Sequence, residues 1–521
     1  MKLQGMSLRL NGTPSIKLNA MSQWLSYGIS TFIILFLTPF VINKLGMSGF
    51  GVWRFAIAFV GYYGIFNVAV SSSVTRYVAR FVGQNDRDSL NETVGTAMSI
   101  CLVGASIVIL TSFLFADIIV NFFDKTPPEL INEFIWLIRI VGIATGIGFF
   151  VSLLGAIVTA HEQYVIASIA GIAVNILRAG LTVIFLLSGM GLVGVGSAML
   201  ISSLAGLIVN YVMCSWLATG LKISPSHSSW LSLRRLFGYT MTTMVIVLAD
   251  ILRTQIDSAI IGKMIGFEDV AIYGIAGSLI IQLVGFTVAG VGVLTPRFAN
   301  LEGGGQFEEL KKLFVKSLHF SALVGIGVCV LAFLWSGSFI HLWVGQNFGR
   351  AVPIVWILAL AGISDLAQSP AVGLMYSLNK HRYYAGTCLL EGVLKFALTL
   401  ILVQKHGIIG AALASAIPMV VLRVFIQPIY VSRMVGLRLR EYAQPFFLPL
   451  VSGILVFIGC FLLGAFPGPI AQNWFLLGVF VALTGVVYTA ISLSLPRAFG
   501  VPGLPLSVLR GVVKVHAEKA M

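Results

Sequence analysis

The chain has 521 residues, 58% of them hydrophobic and only 10% charged, with a mean hydropathy of +0.97 and a formal net charge of +14. No ordinary soluble domain carries that balance. Apolar runs of about 20 residues recur from end to end, the helical membrane pattern and not the short alternating segments of a β-barrel.

The N-terminus carries Lys2, Arg9 and Lys17 before the first apolar run. That run, 20–42, is too long for a signal-peptide core and has no small-residue cleavage site behind it, so it is expected as a retained first span. Hydropathy then places about 14 spans in all. They lie near 20–42, 52–74, 93–116, 134–158, 165–187, 193–219, 236–262, 270–295, 317–340, 353–376, 384–404, 409–432, 445–466 and 475–495. Cys101, Cys214, Cys329, Cys388 and Cys460 each sit inside an apolar run with no CxxC spacing. They read as buried small hydrophobes, and neither a disulfide framework nor a metal site is expected.

Basic residues set the orientation. The N-tail, the C-tail and alternate loops between them hold 22 Lys/Arg, and the opposite loops hold 5 (Lys44, Lys125, Lys263, Arg350, Lys405). Both termini are therefore expected on the cytoplasmic side. The basic residues are spread over many short loops, which suits anionic lipid and excludes a nucleic-acid patch.

The chain also repeats itself. Lys44 and Gly46 in INKLGMSGFGVW match Lys263 and Gly266 in IGKMIGFEDVAIY, and Trp53 matches Tyr273. Thr75-Arg76-Tyr77 matches Pro296-Arg297-Phe298, and Leu192-Val193-Gly194 matches Ile408-Ile409-Gly410. Six spans repeat in the same orientation. The expected organisation is an N-terminal lobe over 1–219 and a C-terminal lobe over 220–435. Two extra helices and a cytoplasmic tail occupy 436–521.

Leu45-Gly46 with Gly51-Val52-Trp53, Thr75-Arg76-Tyr77-Val78-Ala79, Asp257 with Ile260-Ile261-Gly262, Val270-Ala271-Ile272-Tyr273 and Pro296 before a Gly-rich loop form a set of helix-end motifs. Together they resemble the polysaccharide-flippase branch of the multidrug/oligosaccharidyl-lipid/polysaccharide exporter superfamily, over nearly the whole chain. The resemblance implies an all-α polytopic membrane protein with two parallel six-helix lobes around a central cavity, plus two extra C-terminal helices. It also implies export of undecaprenyl-diphosphate-linked oligosaccharide from the cytoplasmic to the outer leaflet, for O-antigen, capsule or exopolysaccharide synthesis. The implied partners are that lipid-linked glycan, membrane lipids and polysaccharide polymerase machinery; no cofactor is implied.

The charges inside spans carry the chemistry. Six are basic (Arg54, Arg139, Arg178, Arg253, Lys395, Arg423) and four acidic (Asp250, Asp257, Asp365, Glu391). Left bare in hydrocarbon, each would cost roughly 2.5–3.5 kcal/mol, so they must face one another, water or a ligand. Asp250, Arg253 and Asp257 fall on one face of a predicted continuous helix, and Glu391 stands one turn before Lys395. Arg54, Arg139, Arg178, Arg253 and Lys395 are the expected cavity cations for a diphosphate. Asp250, Asp257, Asp365 and Glu391 are expected as ion-pair partners or coupling sites. Thr240, Thr242, Thr243, Thr254 and Gln255 are expected polar wall groups for the glycan. Arg54 and Arg139, near span ends, and Arg423 also fit snorkelling to an interface.

No GxxxxGK[ST] nucleotide loop occurs, so a secondary mechanism is expected and not an enzyme. Outward movement of negative charge runs with an inside-negative potential, worth about 2.3 kcal/mol per charge per 100 mV. A peptidoglycan lipid precursor flippase and a proton- or sodium-coupled multidrug exporter are the alternatives. The latter would want an acidic cavity. A polymerase or glycosyltransferase would want a sizeable catalytic loop.

Overall fold

The computed structural model describes residues 16–218, 221, 223–291, 295–378, 380–463 and 473–498. Lys2, Arg9 and the basic C-tail lie outside the described residues, as do the side chains of Thr240, Thr242 and Thr243. Among the described residues all regular structure is helical.

The helices group into two compact units, Met1–Ala271 and Ile272–Met521. The first holds α1 (Ile16–Gln84), α2 (Arg87–Leu114), α3 (Ala116–Phe122), α4 (Ile131–Ala160), α5 (Tyr164–Leu187), α6 (Gly191–Leu217), α7 (Trp230–Thr254) and α8 (Ile256–Met264). The helix α9 (Phe267–Val291) runs across the division. The second unit holds α10 (Thr295–Gly303), α11 (Phe307–Val344), α12 (Ala351–Ala367), α13 (Ser369–Ser377), α14 (His381–Val420), α15 (Gln427–Val435), α16 (Leu439–Leu462) and α17 (Trp474–Ala498). A six-residue π-helical stretch, Val421–Ile426, joins α14 to α15.

Eleven stretches among the described residues are long and apolar enough to cross a membrane. The protein is a multi-pass membrane protein, and side chains such as Leu102, Ile107 and Leu110 of α2 are exposed where lipid would meet them. Two of the eleven each cover two predicted spans. The turn in α1 falls at Gly46 (φ 72°) and that in α14 at Gly407 (φ 59°). Both positive-φ values favour glycine, which lacks the Cβ that would crowd the backbone there. The predicted seventh span differs from expectation: it is broken at Gln255 into α7 and α8 and is not among the eleven. The Thr254 hydroxyl donates to the Asp250 carbonyl at 2.9 Å, which competes with the helical ladder and bends it. The Tyr62 hydroxyl of α1 then donates to the Gln255 carbonyl at 3.3 Å.

The units divide later in the chain than the lobe boundary expected at 219, because α7 and α8 pack on α1. Phe267 completes this packing. Its ring meets Phe55, Phe123 and Phe134 edge-on or tilted, with centroids 5.4–5.9 Å apart. Gly51 lies so close that a Cβ there would collide with the Phe267 carbonyl. Lys263 donates to the Phe122 carbonyl at 2.7 Å, pairs with Asp124 at 3.3 Å and lies over the Phe122 ring. In the second unit α16 and α17 both pack on α11. There Trp335 stacks on Phe480 and donates to the Thr484 hydroxyl at 3.2 Å.

Candidate functional site

The charged residues of the spans fall into three environments. The first is the break between α7 and α8. Arg253 and Asp250 form an ion pair at 3.5 Å, with 21% and 61% of their side chains exposed. Asp257 follows the break on α8 and is buried. Asp250 and Arg253 thus lie on α7, before Gln255, and Asp257 lies on α8, after it.

The second is a buried knot in the second unit. Arg423 does not reach an interface; it is 2% exposed, on the π-helical stretch. Pro418 and Pro428 flank that stretch, and neither has an N–H for the α-helical ladder, so the register widens between them. The Arg423 guanidinium lies 3.3 Å from Asp365 of α12 and 3.6 Å from Glu391 of α14. It donates to Gln427 Oε1 at 3.2 Å and sits 5.0 Å from the Tyr384 ring centroid. Its backbone carbonyl accepts from Gln368 Nε2, and Gln368 Oε1 accepts from the Tyr442 hydroxyl of α16 at 3.0 Å. Gln368 is available because α12 breaks there, two residues before the N–H-less Pro370. Lys395 is 3% exposed on the same helix as Glu391, which is 2% exposed. The buried Arg423 guanidinium thus lies between buried Glu391 and partly exposed Asp365, with buried Lys395 one helical turn beyond Glu391; pairing of this kind is the condition under which buried ions persist. The sequence offered two signals for it, the i,i+4 spacings of Glu391 with Lys395 and of Arg423 with Gln427.

The third environment leaves cations without acids. Arg139 does not belong to it: it pairs with Asp117 at 2.8 Å and lies over the Trp136 and Phe113 rings. Arg178 sits on an exposed face of α5. It donates to Asn175 Oδ1 at 3.1 Å, and Asn175 Nδ2 donates to the Ser30 hydroxyl of α1 at 3.3 Å. Arg54, half-buried in the second part of α1, accompanies it in the first unit. Among the described residues, no carboxylate pairs with either Arg54 or Arg178. A guanidinium in an apolar span without a counter-ion keeps a planar fork of donors and uncancelled charge.

This helical architecture is similar to that of solved membrane transporters. It superposes on the lipid II flippase MurJ in an inward closed conformation with a TM-score of 0.72, at 12% identity, covering 93% of this chain and 99% of MurJ. An inward-facing MATE family multidrug resistance transporter of the MOP superfamily gives a TM-score of 0.64 at 13% identity, covering 79% of this chain and 95% of that one. The chain belongs to the polysaccharide biosynthesis protein family, whose pattern its residues 45–353 match. It is 26% identical over 423 residues to a Shigella flexneri protein named "Putative O-antigen transporter", covering 80% of this chain and 98% of that protein. It is 25% identical to the Haloferax volcanii "Probable low-salt glycan biosynthesis flippase Agl15" over 50% of this chain and 54% of that one.

Proposed function

We propose that the chain is a flippase for polyprenyl-diphosphate-linked oligosaccharide, moving it from the cytoplasmic to the outer leaflet of a bacterial-type inner membrane for surface polysaccharide synthesis. Family membership and the names of the relatives support a transporter of glycan precursors. The observation that carries the anionic cargo is the absence of a carboxylate partner for Arg54 and Arg178 among the described residues.

A diphosphate crossing the low-dielectric core loses hydration worth many kcal/mol, and fixed guanidinium donors replace it. Arg54 and Arg178 are the primary contacts. Arg253 is a secondary one, because Asp250 already takes part of its field. Lys395, Asp365 and Glu391 act through the buried knot around Arg423, which keeps the second unit's charges satisfied. Asp257 supports the helix break. Arg139, tied to Asp117, holds α4 to α3. The outward step runs with the membrane potential and needs no nucleotide. Both termini face the cytoplasm in this reading, with the 1–219 and 220–435 repeats as the two moving lobes. The chain performs transport and no covalent chemistry.

The test is leaflet accessibility of an undecaprenyl-diphosphate-linked oligosaccharide in proteoliposomes. Wild-type protein is expected to expose the glycan to an external lectin, and Arg54→Ala with Arg178→Ala to slow that exposure. Equal exposure with and without protein would sink the flippase reading. Equal exposure by wild type and the double variant would sink the role of the two arginines.

A further inference from the structure

We propose that Asn175 and Ser30 are positioning residues that hold Arg178 as an oriented, uncompensated cation for the diphosphate of the cargo. The inference rests on the flippase reading above. Arg178 lies 14 residues beyond Tyr164, the first residue of α5, so it is about 21 Å along that helix. In a hydrocarbon core about 30 Å thick, that places it away from both interfaces.

Only one arrangement of the Asn175 amide satisfies both neighbours. The guanidinium can only donate, so it must meet Oδ1, and Nδ2 must then donate to the Ser30 hydroxyl. The amide is therefore fixed from two sides, by its own helix and by α1, and the guanidinium inherits that orientation. The acceptor is neutral. It fixes direction without cancelling charge, and four of the five guanidinium N–H donors stay available for phosphate oxygens.

The chain contains the charged version of the same arrangement. Asp250 stands three residues before Arg253, as Asn175 stands three before Arg178, and the acid pairs with its arginine at 3.5 Å. The same spacing thus yields a partly neutralised cation on α7 and a fully charged one on α5. The residue type at the i−3 position decides which arginine can recruit an anion. Asn175→Asp converts one version into the other with almost no change of shape. A merely structural Asn175 would tolerate this change, because an acid at that spacing adds an ion pair to the helix.

The experiment measures binding of undecaprenyl diphosphate, and of uncharged undecaprenol as control, to the purified full-length chain in detergent by intrinsic tryptophan fluorescence. Arg178→Ala and Asn175→Asp are each expected to weaken diphosphate binding by about tenfold or more, the scale of a lost charge-assisted contact. Thermal stability and undecaprenol binding should stay unchanged. Ser30→Ala, which frees the amide without adding charge, should weaken diphosphate binding by about threefold. Wild-type affinity in Arg178→Ala would overturn the underlying reading of Arg178 itself. Loss in Arg178→Ala with wild-type affinity in Asn175→Asp would leave that reading standing and overturn this inference alone. Should Asn175→Asp fail to fold, Ser30→Ala and Asn175→Ala decide, and wild-type affinity in both overturns the inference.

Discussion

The Ser48 hydroxyl donates to the Glu268 carboxylate at 3.2 Å, across 220 residues of chain. That separation is the offset of the internal repeat, in which Gly46 matches Gly266 and Trp53 matches Tyr273. Ser48 therefore touches its own repeat equivalent. The end of the first predicted span and the end of the seventh close on each other, and the Phe267 ring and Gly51 complete the contact. In the proposed orientation this closure faces the outside, so outward release requires it to part.

Two substitutions test that closure. Gly51→Val places a side chain into the Phe267 carbonyl and is expected to cost about 1–3 kcal/mol as overpacking, read as a lower melting temperature in detergent. In a background without the native cysteines, Ser48→Cys with Glu268→Cys, bridged by a short bifunctional thiol reagent, should stop glycan exposure, and reduction should restore it. Unimpaired export by the bridged protein would show that this contact stays shut throughout the cycle.

Arg423→Ala leaves Asp365 and Glu391 without the guanidinium that lies within 3.6 Å of both. A destabilisation of about 3–5 kcal/mol is expected from the broken buried pair. Adding Asp365→Asn and Glu391→Gln should return part of that loss, because the uncompensated acids disappear with the cation. Thermal unfolding of the single and triple variants checks this. A single variant as stable as wild type would mean that the acids find other partners, Lys395 being the nearest in sequence to Glu391.

Export rates should rank the intramembrane arginines by how much of their charge is already engaged. Alanine at Arg178 or Arg54 is expected to slow transport most, since no carboxylate pairs with either among the described residues. Arg253→Ala should cost less, because Asp250 already engages part of its charge, but more than Arg139→Ala, because that pair is long and partly exposed. Arg139→Ala should leave transport near wild type and cost at most about 1 kcal/mol, the usual worth of an exposed pair. Initial rates of lectin accessibility in vesicles measure the order.

Outside the membrane spans, Asp86 caps α2, with the Ser89 amide donating to its carboxylate at 3.0 Å. The hydroxyl and amide of Ser89 hold the Asp86 carboxyl below the usual aspartate range. A lowered native value means that the cap contributes fully above the unfolded value of about 3.9 and loses its contribution as pH falls through the native one. Hydrogen exchange at residues 87–90, corrected for intrinsic rates, should therefore quicken only at acid pH. In Asp86→Asn that acid-specific change should vanish.

Much of the architecture was legible because it depends on local chemistry. Apolar length marks a span wherever it occurs, and the run of spans identified a polytopic helical membrane protein from hydropathy alone. The turns at Gly46 and Gly407 fell between predicted spans because glycine is the residue that accepts positive φ without strain. The repeat was visible because matching residues recur at matching distances in the chain. The i,i+3 pair of Asp250 and Arg253 could be read from helical spacing.

Whether a charge is answered by another depends on residues far away in sequence, and only the tertiary structure decided that. Arg423 reads as an end-of-span cation until Asp365 and Glu391, brought from α12 and α14, are seen beside it. The break at Gln255 carries no proline or glycine, and a hydroxyl from α1 holds its freed carbonyl. Arg178 was always a mid-span cation without a nearby acid; the fold added Ser30, which fixes the amide that aims it. The sequence thus determined which groups must pay for leaving water, and the packing of distant helices determined which of them remain charged and available to a ligand.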